Sequence, residues 1–384
     1  MKFQSLSTLV ISLFFALVCT GTIQAQVRIG VVSSSTGPVS LVGIPQKNTV
    51  ALLPRKIGDL TVEYVLMDDA SDPTATVTAF KRLISEDKVD AIIGPSGSPN
   101  AMGVIQFVAE ARVPLLATVG TAAVVQPMNA QKKWVFKTTQ NDEIIAEALV
   151  SHMKSSGVKT AAFIGVNDPF GENWLRVFTA MAKQAGISLT AVERFQRGDH
   201  SVLGQTLKLI AAKPDAVLVA AAGGSAVLPH VALADKGFKG QIYQTHGAAL
   251  RDFLKLGGKK VEGAILAASL LLVLPDIPES HPSKRIAQGY VEAYTKLYGE
   301  EPATFGANVY DAGLLLSRAI PIAAKSGAPG SVAFRTALRD ALEKTTELVG
   351  TQGVFNMTPD DHSGFDQRGR ELITVTNGNW SLVR

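Results

Sequence analysis

The chain is almost without cysteine: Cys19 is the single one among 384 residues, and it falls inside an N-terminal apolar stretch. A disulfide framework, a thiol nucleophile and a cysteine-based metal site are therefore excluded from the rest of the sequence. Charge is sparse too, with 18% Asp, Glu, Lys and Arg of both signs scattered along the length and a formal net charge of +4, or +3 without Lys2. No basic block interleaved with aromatics occurs, so nucleic-acid binding has no footprint here. Beyond residue 25 no apolar run reaches the roughly 20 residues that a bilayer span needs.

Catalytic signatures are missing as well. The string nearest to a Gly-x-Ser-x-Gly elbow, Gly94-Pro95-Ser96-Gly97-Ser98, lacks the last glycine. No dinucleotide fingerprint, phosphate loop or His-Glu-x-x-His pattern occurs. Of His152, His200, His230, His246, His281 and His362, none pairs with another at metal-ligand spacing, so each reads as an ordinary surface or hydrogen-bonded histidine. Asp68-Asp69 with Asp72 suggests a cation site, but a strand end feeding a helix cap explains these carboxylates more simply. No cofactor or metal is expected. An exported α/β enzyme, the alternative from another functional class, would rest on fold alone.

What is present begins with an export signal. Lys2 supplies the positive start, residues 6–18 are mostly apolar, and Thr22-Ile23-Gln24-Ala25 offers a site for cleavage after Ala25. The apolar run is short for a membrane anchor, and Val18 is bulky for lipid attachment at Cys19. A periplasmic location follows as the expectation, where disulfides are permitted but not required. With 46% hydrophobic residues the remainder reads as ordered, and its length suits two domains better than one.

Strand and helix patterns alternate, which implies parallel sheets covered on both faces. Strands are predicted at residues 27–32, 62–67, 89–93, 114–117 and 134–138, with helices starting at Asp72-Pro73 and spanning residues 100–112. The alternation restarts at residues 160–164 and runs through strands at 189–194, 216–219 and 241–244. An apolar extended stretch at 264–274 precedes three helical patterns at 284–298, 307–325 and 331–344. A terminal hairpin turns at Asn377-Gly378. Two stretches, Val89 through Ser98 and Pro214 through Ser225, end as apolar strands emptying into small residues and a serine, the place where open α/β sheets bind ligands. Ser96 and Ser98 precede a predicted helix, where free amides favour an anion. For Ser98 a plain helix cap and a ligand contact are both open, and compatible. Gly120-Thr121-Ala122 forms a small-residue turn after the next strand.

Over nearly its whole length beyond residue 25 the sequence resembles the periplasmic substrate-binding proteins of the branched-chain amino acid type of ABC transporter. The resemblance rests on Arg28-Ile29-Gly30-Val31 through Ser35-Thr36-Gly37-Pro38, Asp68-Asp69 with Asp72-Pro73, Ile92-Ile93-Gly94-Pro95, Asn167-Asp168-Pro169-Phe170-Gly171, and Phe355-Asn356-Met357-Thr358-Pro359 with Asp361-His362-Ser363-Gly364. It implies an α/β fold of two doubly wound parallel-sheet lobes joined by a three-segment hinge near Thr139, Ala268 and Gly350. The first lobe would comprise residues 26–139 and 275–347, the second 140–268 and 353–384, with crossovers at 269–274 and 348–352. It also implies a monomeric receptor, without catalytic turnover, that hands a small ligand to an ABC permease in the inner membrane.

Position by position, the resemblance puts Ser98 at a hydroxyl for the ligand carboxylate, Gly120 through Ala122 at the headgroup turn with Thr121 displaced by one position, and Phe170 at an aromatic wall. Three departures bear on the ligand. His246, in Gln244-Thr245-His246-Gly247, stands where amino-acid binders of this type have a glutamate against the ligand ammonium. Ala222 replaces a frequent tyrosine, and Val42 occupies another aromatic position. A buried ammonium without an anionic partner is costly, and His246 could donate a hydrogen bond or carry a positive charge. Residues 43–54 further resemble a branch that includes binders of aromatic carboxylates. The expected ligand is therefore an aromatic or branched aliphatic organic acid, with a hydrophobic amino acid as the alternative.

Overall fold

The computed structural model describes residues 26–383. The export segment expected over residues 1–25 lies outside them. The strands in chain order are β1 (Gln26–Ser33), β2 (Lys56–Ile57), β3 (Leu60–Asp68), β4 (Ala91–Ile93), β5 (Leu115–Ala117), β6 (Val135–Lys137), β7 (Thr160–Val166), β8 (Ser188–Phe195), β9 (Ala216–Ala220), β10 (Gln241–Gln244), β11 (Ile265–Ala268), β12 (Leu348–Val349), β13 (Val354–Phe355), β14 (Glu371–Thr376) and β15 (Asn379–Leu382). They build two large sheets, ordered β2-β3-β1-β4-β5-β6 and β15-β14-β11-β10-β9-β7-β8, and a small β12-β13 hairpin. Both large sheets are parallel except at an edge, where the β2–β3 pair in one and the β11–β14 and β14–β15 pairs in the other are antiparallel. The central strands β4 and β9 are buried at every residue, as continuous apolar runs must be when helices cover both faces.

Helix starts follow local chemistry. Asp72 accepts the Ala75 N–H at 2.7 Å, with Pro73 in the first turn of the Pro73–Ser85 helix. Asp168 accepts the N–H groups of Phe170 and Gly171 at 2.8 and 3.3 Å, opening the Pro169–Gln184 helix. Each cap satisfies amides that the first helical turn leaves free.

Two expectations are corrected, and one helix carries no signal in the sequence pattern. The pattern over 100–112 divides into two helices, Ser98–Met102 and Ile105–Ala111, broken at Gly103-Val104. The apolar stretch expected to be extended to residue 274 leaves the sheet after β11 and coils into 3-10 turns over Leu270–Asp276, kinked at Val273 and buried over residues 270–274. Residues 40–49 form a helix, Ser40–Thr49, that Pro45 in its interior concealed.

The chain passes between the sheets three times: after β6 to reach β7, after β11 to reach the Thr304–Ala323 helix, and after β13 to reach β14. That long helix packs on Ser40–Thr49, and its Val309, Ala312 and Leu315 share a core with Val27, Ile29 and Val31 of β1. The result is an α/β molecule of two lobes whose strands point their carboxyl ends at a common cleft.

Candidate ligand-binding site

A cavity of about 40 Å³ lies where the two lobes meet. Ser98 reaches it from beyond β4 and Gly120 from beyond β5; Phe170, Arg197, Ala222 and His246 reach it from beyond β7, β8, β9 and β10. Each comes from a loop at the carboxyl end of a parallel strand, the position that open α/β sheets offer to ligands. Val42 borders the same space. Thr121, also expected at the site, does not line it: its hydroxyl turns inward and accepts the Ala123 N–H at 3.3 Å, capping a short 3-10 turn.

The lobes touch at Gly120. A Cβ there would lie 2.7 Å from Phe170 Cε2 and 2.8 Å from His246 Nε2, both across the cleft. Only the missing side chain permits that approach. A further glycine sets the loop before Ser98: Gly94 has a φ of 113°, and a Cβ would fall 2.0 Å from the Val32 carbonyl oxygen.

The two serines of that loop have different fates. Ser96 Oγ donates to Gln46 Oε1 at 2.6 Å and accepts the Ser34 N–H at 2.9 Å, so it is committed to holding loops together. Ser98 is buried, lines the cavity and makes no side-chain hydrogen bond within the protein. The amide-and-dipole argument for an anion here fails, because the helix is only five residues long and Pro99 has no N–H to offer. What remains is the hydroxyl. Its position is fixed through Asn100, whose Nδ2 donates to Asp69 Oδ2 at 3.1 Å; Asp69 also accepts from Ser34 Oγ at 2.6 Å and Thr76 Oγ1 at 2.9 Å. The Asp68-Asp69-Asp72 group is thus a loop staple and helix cap. Among the described residues no cluster of metal-ligating side chains is found.

His246 is packed against Phe170 and Trp174, with ring centroids 6.0 and 5.9 Å away, and its Nδ1 is buried without a protein partner. Burial, reinforced by the charge of Lys137, pushes its pKa down to about 3. The ring is neutral at physiological pH, which removes the option of a cationic His246. Lys137 itself is fully buried behind the Gly120 turn, where Nζ donates to the carbonyls of Gly120 at 2.5 Å and Gln140 at 3.2 Å. Burial lowers the lysine and raises Asp142, each opposing the other's shift through attraction, and Asn173 donates to the Asp142 carboxylate.

Arg197 is among the lining residues that the sequence reading did not bring forward, as are Ser269, Thr304, Asn308 and Gln352. Arg197 sits in Gln196-Arg197-Gly198, a polar loop carrying no motif; only the rule that strand ends face ligands could have found it. Its Nε donates to Asp168 Oδ2 at 2.6 Å, and its guanidinium lies 5.9 Å from the Phe170 ring centroid. Among the described residues no aspartate or glutamate lines the cavity.

Residues 26–368 match the family described as periplasmic binding protein. The chain is 25% identical over 352 residues to the Leu/Ile/Val-binding protein BraC3 of Rhizobium johnstonii, covering 90% of this chain and 92% of that one. Its structure is similar to an extracellular ligand-binding receptor from Rhodopseudomonas palustris HaA2, at 43% identity and a TM-score of 0.91, over 94% of this chain and all of that one. It shares the fold of a leucine-binding protein LivK from Thermotoga maritima, at 24% identity and a TM-score of 0.82, over 93% and 98% of the two chains. With two lobes around a common cleft and a family match over residues 26–368, this chain belongs to the periplasmic binding proteins, a family of ligand receptors for transport rather than of enzymes.

Proposed function

We propose that this receptor carries a small organic acid without an α-ammonium group, aromatic or branched aliphatic, to an ABC permease. The observation that carries the reading is the charge of the cavity wall: among the described residues no carboxylate lines it, and the polar group facing Gly120 from the second lobe is a neutral histidine. An ammonium enclosed there would lose several kcal/mol of hydration, on a rough scale, without an ion pair to offset it. Ser98 and the Gly120 turn would hold the polar end from the first lobe, while Phe170 and His246 close over the rest, with Ala222 and Val42 leaving room. Residues 1–25 would be removed on export, giving Gln26 as the mature N-terminus, which intact mass of the secreted protein reads directly.

At about 40 Å³ the closed cavity is far below the roughly 150 Å³ that takes a benzene ring. A ring-sized ligand would enter only as the lobes part, with the bending absorbed near Thr139, near Ala268 and, beyond the expected crossover at Gly350, between β13 and β14, since Phe355, Met357 and Phe365 share the first lobe's core, by a monomer whose lobes are otherwise residues 26–139 with 275–347 and 140–268 with the C-terminal strands. Small-angle scattering should show compaction on ligand addition; an unchanged radius at saturation would refute the hinge. Calorimetry on wild type and His246→Glu with leucine, phenylalanine and benzoate tests the ligand class. Wild type should bind the simple acid, and His246→Glu should lose it and gain leucine. Tight leucine binding by wild type, with the acid ignored, would establish the amino-acid reading instead.

A further inference from the structure

We infer that Arg197 is the cation that binds the ligand's carboxylate, reaching it from the second lobe while Ser98 meets the same group from the first. The inference rests on the organic-acid reading and assigns that acid its counter-charge. Among the described residues Arg197 is the one charged side chain lining the cavity. Its side chain is 16% exposed, and its Nη1 is buried without any hydrogen-bond partner. A guanidinium offers five donors in a rigid fork suited to carboxylates, so a buried donor left over beside a cavity is an arrangement for an acceptor that arrives from outside the chain.

Two neighbours hold the fork in place. Asp168 takes Nε at 2.6 Å with Oδ2 while its Oδ1 caps the Pro169–Gln184 helix, so the carboxylate that orients Arg197 is itself fixed by the helix. Phe170, two residues on, presents its ring to the guanidinium at 5.9 Å, within the range where a cation is drawn to an aromatic face. Arg197 also borders an outer groove of about 290 Å³; Val39 and Gly97 of the first lobe border both that groove and the inner cavity. The guanidinium therefore forms part of the partition between cavity and groove, beside the residue preceding Ser98. A carboxylate bonded at once to Arg197 and Ser98 spans the two lobes, which makes the acid group of the ligand the element that holds the cleft shut.

Calorimetry and thermal shift at pH 7 on wild type, Arg197→Gln and Arg197→Lys, using benzoate, cinnamate and isovalerate with the primary amide of each, test this. Wild type should favour at least one acid over its amide. Arg197→Gln should weaken that acid about tenfold to a hundredfold, as expected on losing a hydrogen bond to a charged group, and change the amide less than about threefold. Arg197→Lys should recover part of the loss. Equal weakening of acid and amide would reduce Arg197 to a support for Asp168 and overturn the inference, as would undiminished acid binding by Arg197→Gln. A wild type that prefers no acid to its amide, or binds leucine instead, overturns the organic-acid reading and this inference with it, a result separable from the other two because it appears before any substitution is made.

Discussion

Adding a single methyl group at Gly120 should separate the open from the closed receptor. Gly120 belongs to the first lobe, and the atoms its Cβ would meet, Phe170 Cε2 at 2.7 Å, His246 Nε2 at 2.8 Å and His246 Cε1 at 3.1 Å, all belong to the second. Ordinary contact begins near 3.4 Å, so the shortest approach falls about 0.7 Å short. The rings that must yield are themselves packed: Phe170 and His246 lie against each other and against Trp174, which is fully buried. Inserting a group into such a contact costs about 1–3 kcal/mol. Gly120 does not have a positive φ, so alanine brings no backbone strain of its own. The cost falls on the closed state alone. Affinity for the ligand should therefore drop about 5- to 150-fold, scattering should show less compaction at a given ligand concentration, and the ligand-free protein should melt within a degree or two of wild type. A ligand-free melting temperature lowered as much as the bound one would place the clash within one lobe. Unchanged affinity and compaction would mean that the lobes do not meet at Gly120 when ligand is bound; either result refutes the reasoning.

Ser98→Ala should weaken binding of the acid by about 1.5–3 kcal/mol without lowering the ligand-free melting temperature, since the hydroxyl has no protein partner to lose; calorimetry beside a melt checks both halves. Asp69→Ala should destabilise the protein by about 3 kcal/mol in urea titration, because it strands buried donors on Ser34, Thr76 and Asn100; a loss below 1 kcal/mol would mean that water replaces the carboxylate. Stability should also fall in acid. His246 and His230 have pKa values pushed down to about 3 and about 4, chiefly by burial, whereas unfolded histidine takes up its proton near 6.5. The unfolded chain then binds more protons below pH 6.5, so the stability held above that value is lost as pH falls toward 4 and 3. At pH 5.5 each histidine should account for about 1.4 kcal/mol, and His246→Gln should remove its share from the pH slope of denaturant midpoints; an unaltered slope would show that the ring protonates in place.

Sequence alone determined what depends on neighbours along the chain. The continuous apolar runs of β4 and β9 admit little besides buried parallel strands, Asp72-Pro73 and Asp168-Pro169 carry both a cap and a first-turn proline, and Asn377-Gly378 sits at the turn between β14 and β15. Because ligands gather at strand ends, the loops holding Ser98, Gly120, Phe170, Ala222 and His246 were legible as well, and all five border the cavity. Tertiary structure decided what depends on residues far apart in the chain. The Ser40–Thr49 helix exists despite Pro45 because it packs on Thr304–Ala323. Ser96 is spent on Gln46 while Ser98 is free, a difference that no local pattern encodes. Thr121 turns away from the cleft, burial with the nearby charge of Lys137 behind Gly120 keeps His246 neutral, and Arg197 comes to the cavity from a loop with no signature. Periodicity and capping act over a few residues and are written in order along the chain, whereas burial and electrostatic potential are sums over neighbours that only the folded chain brings together.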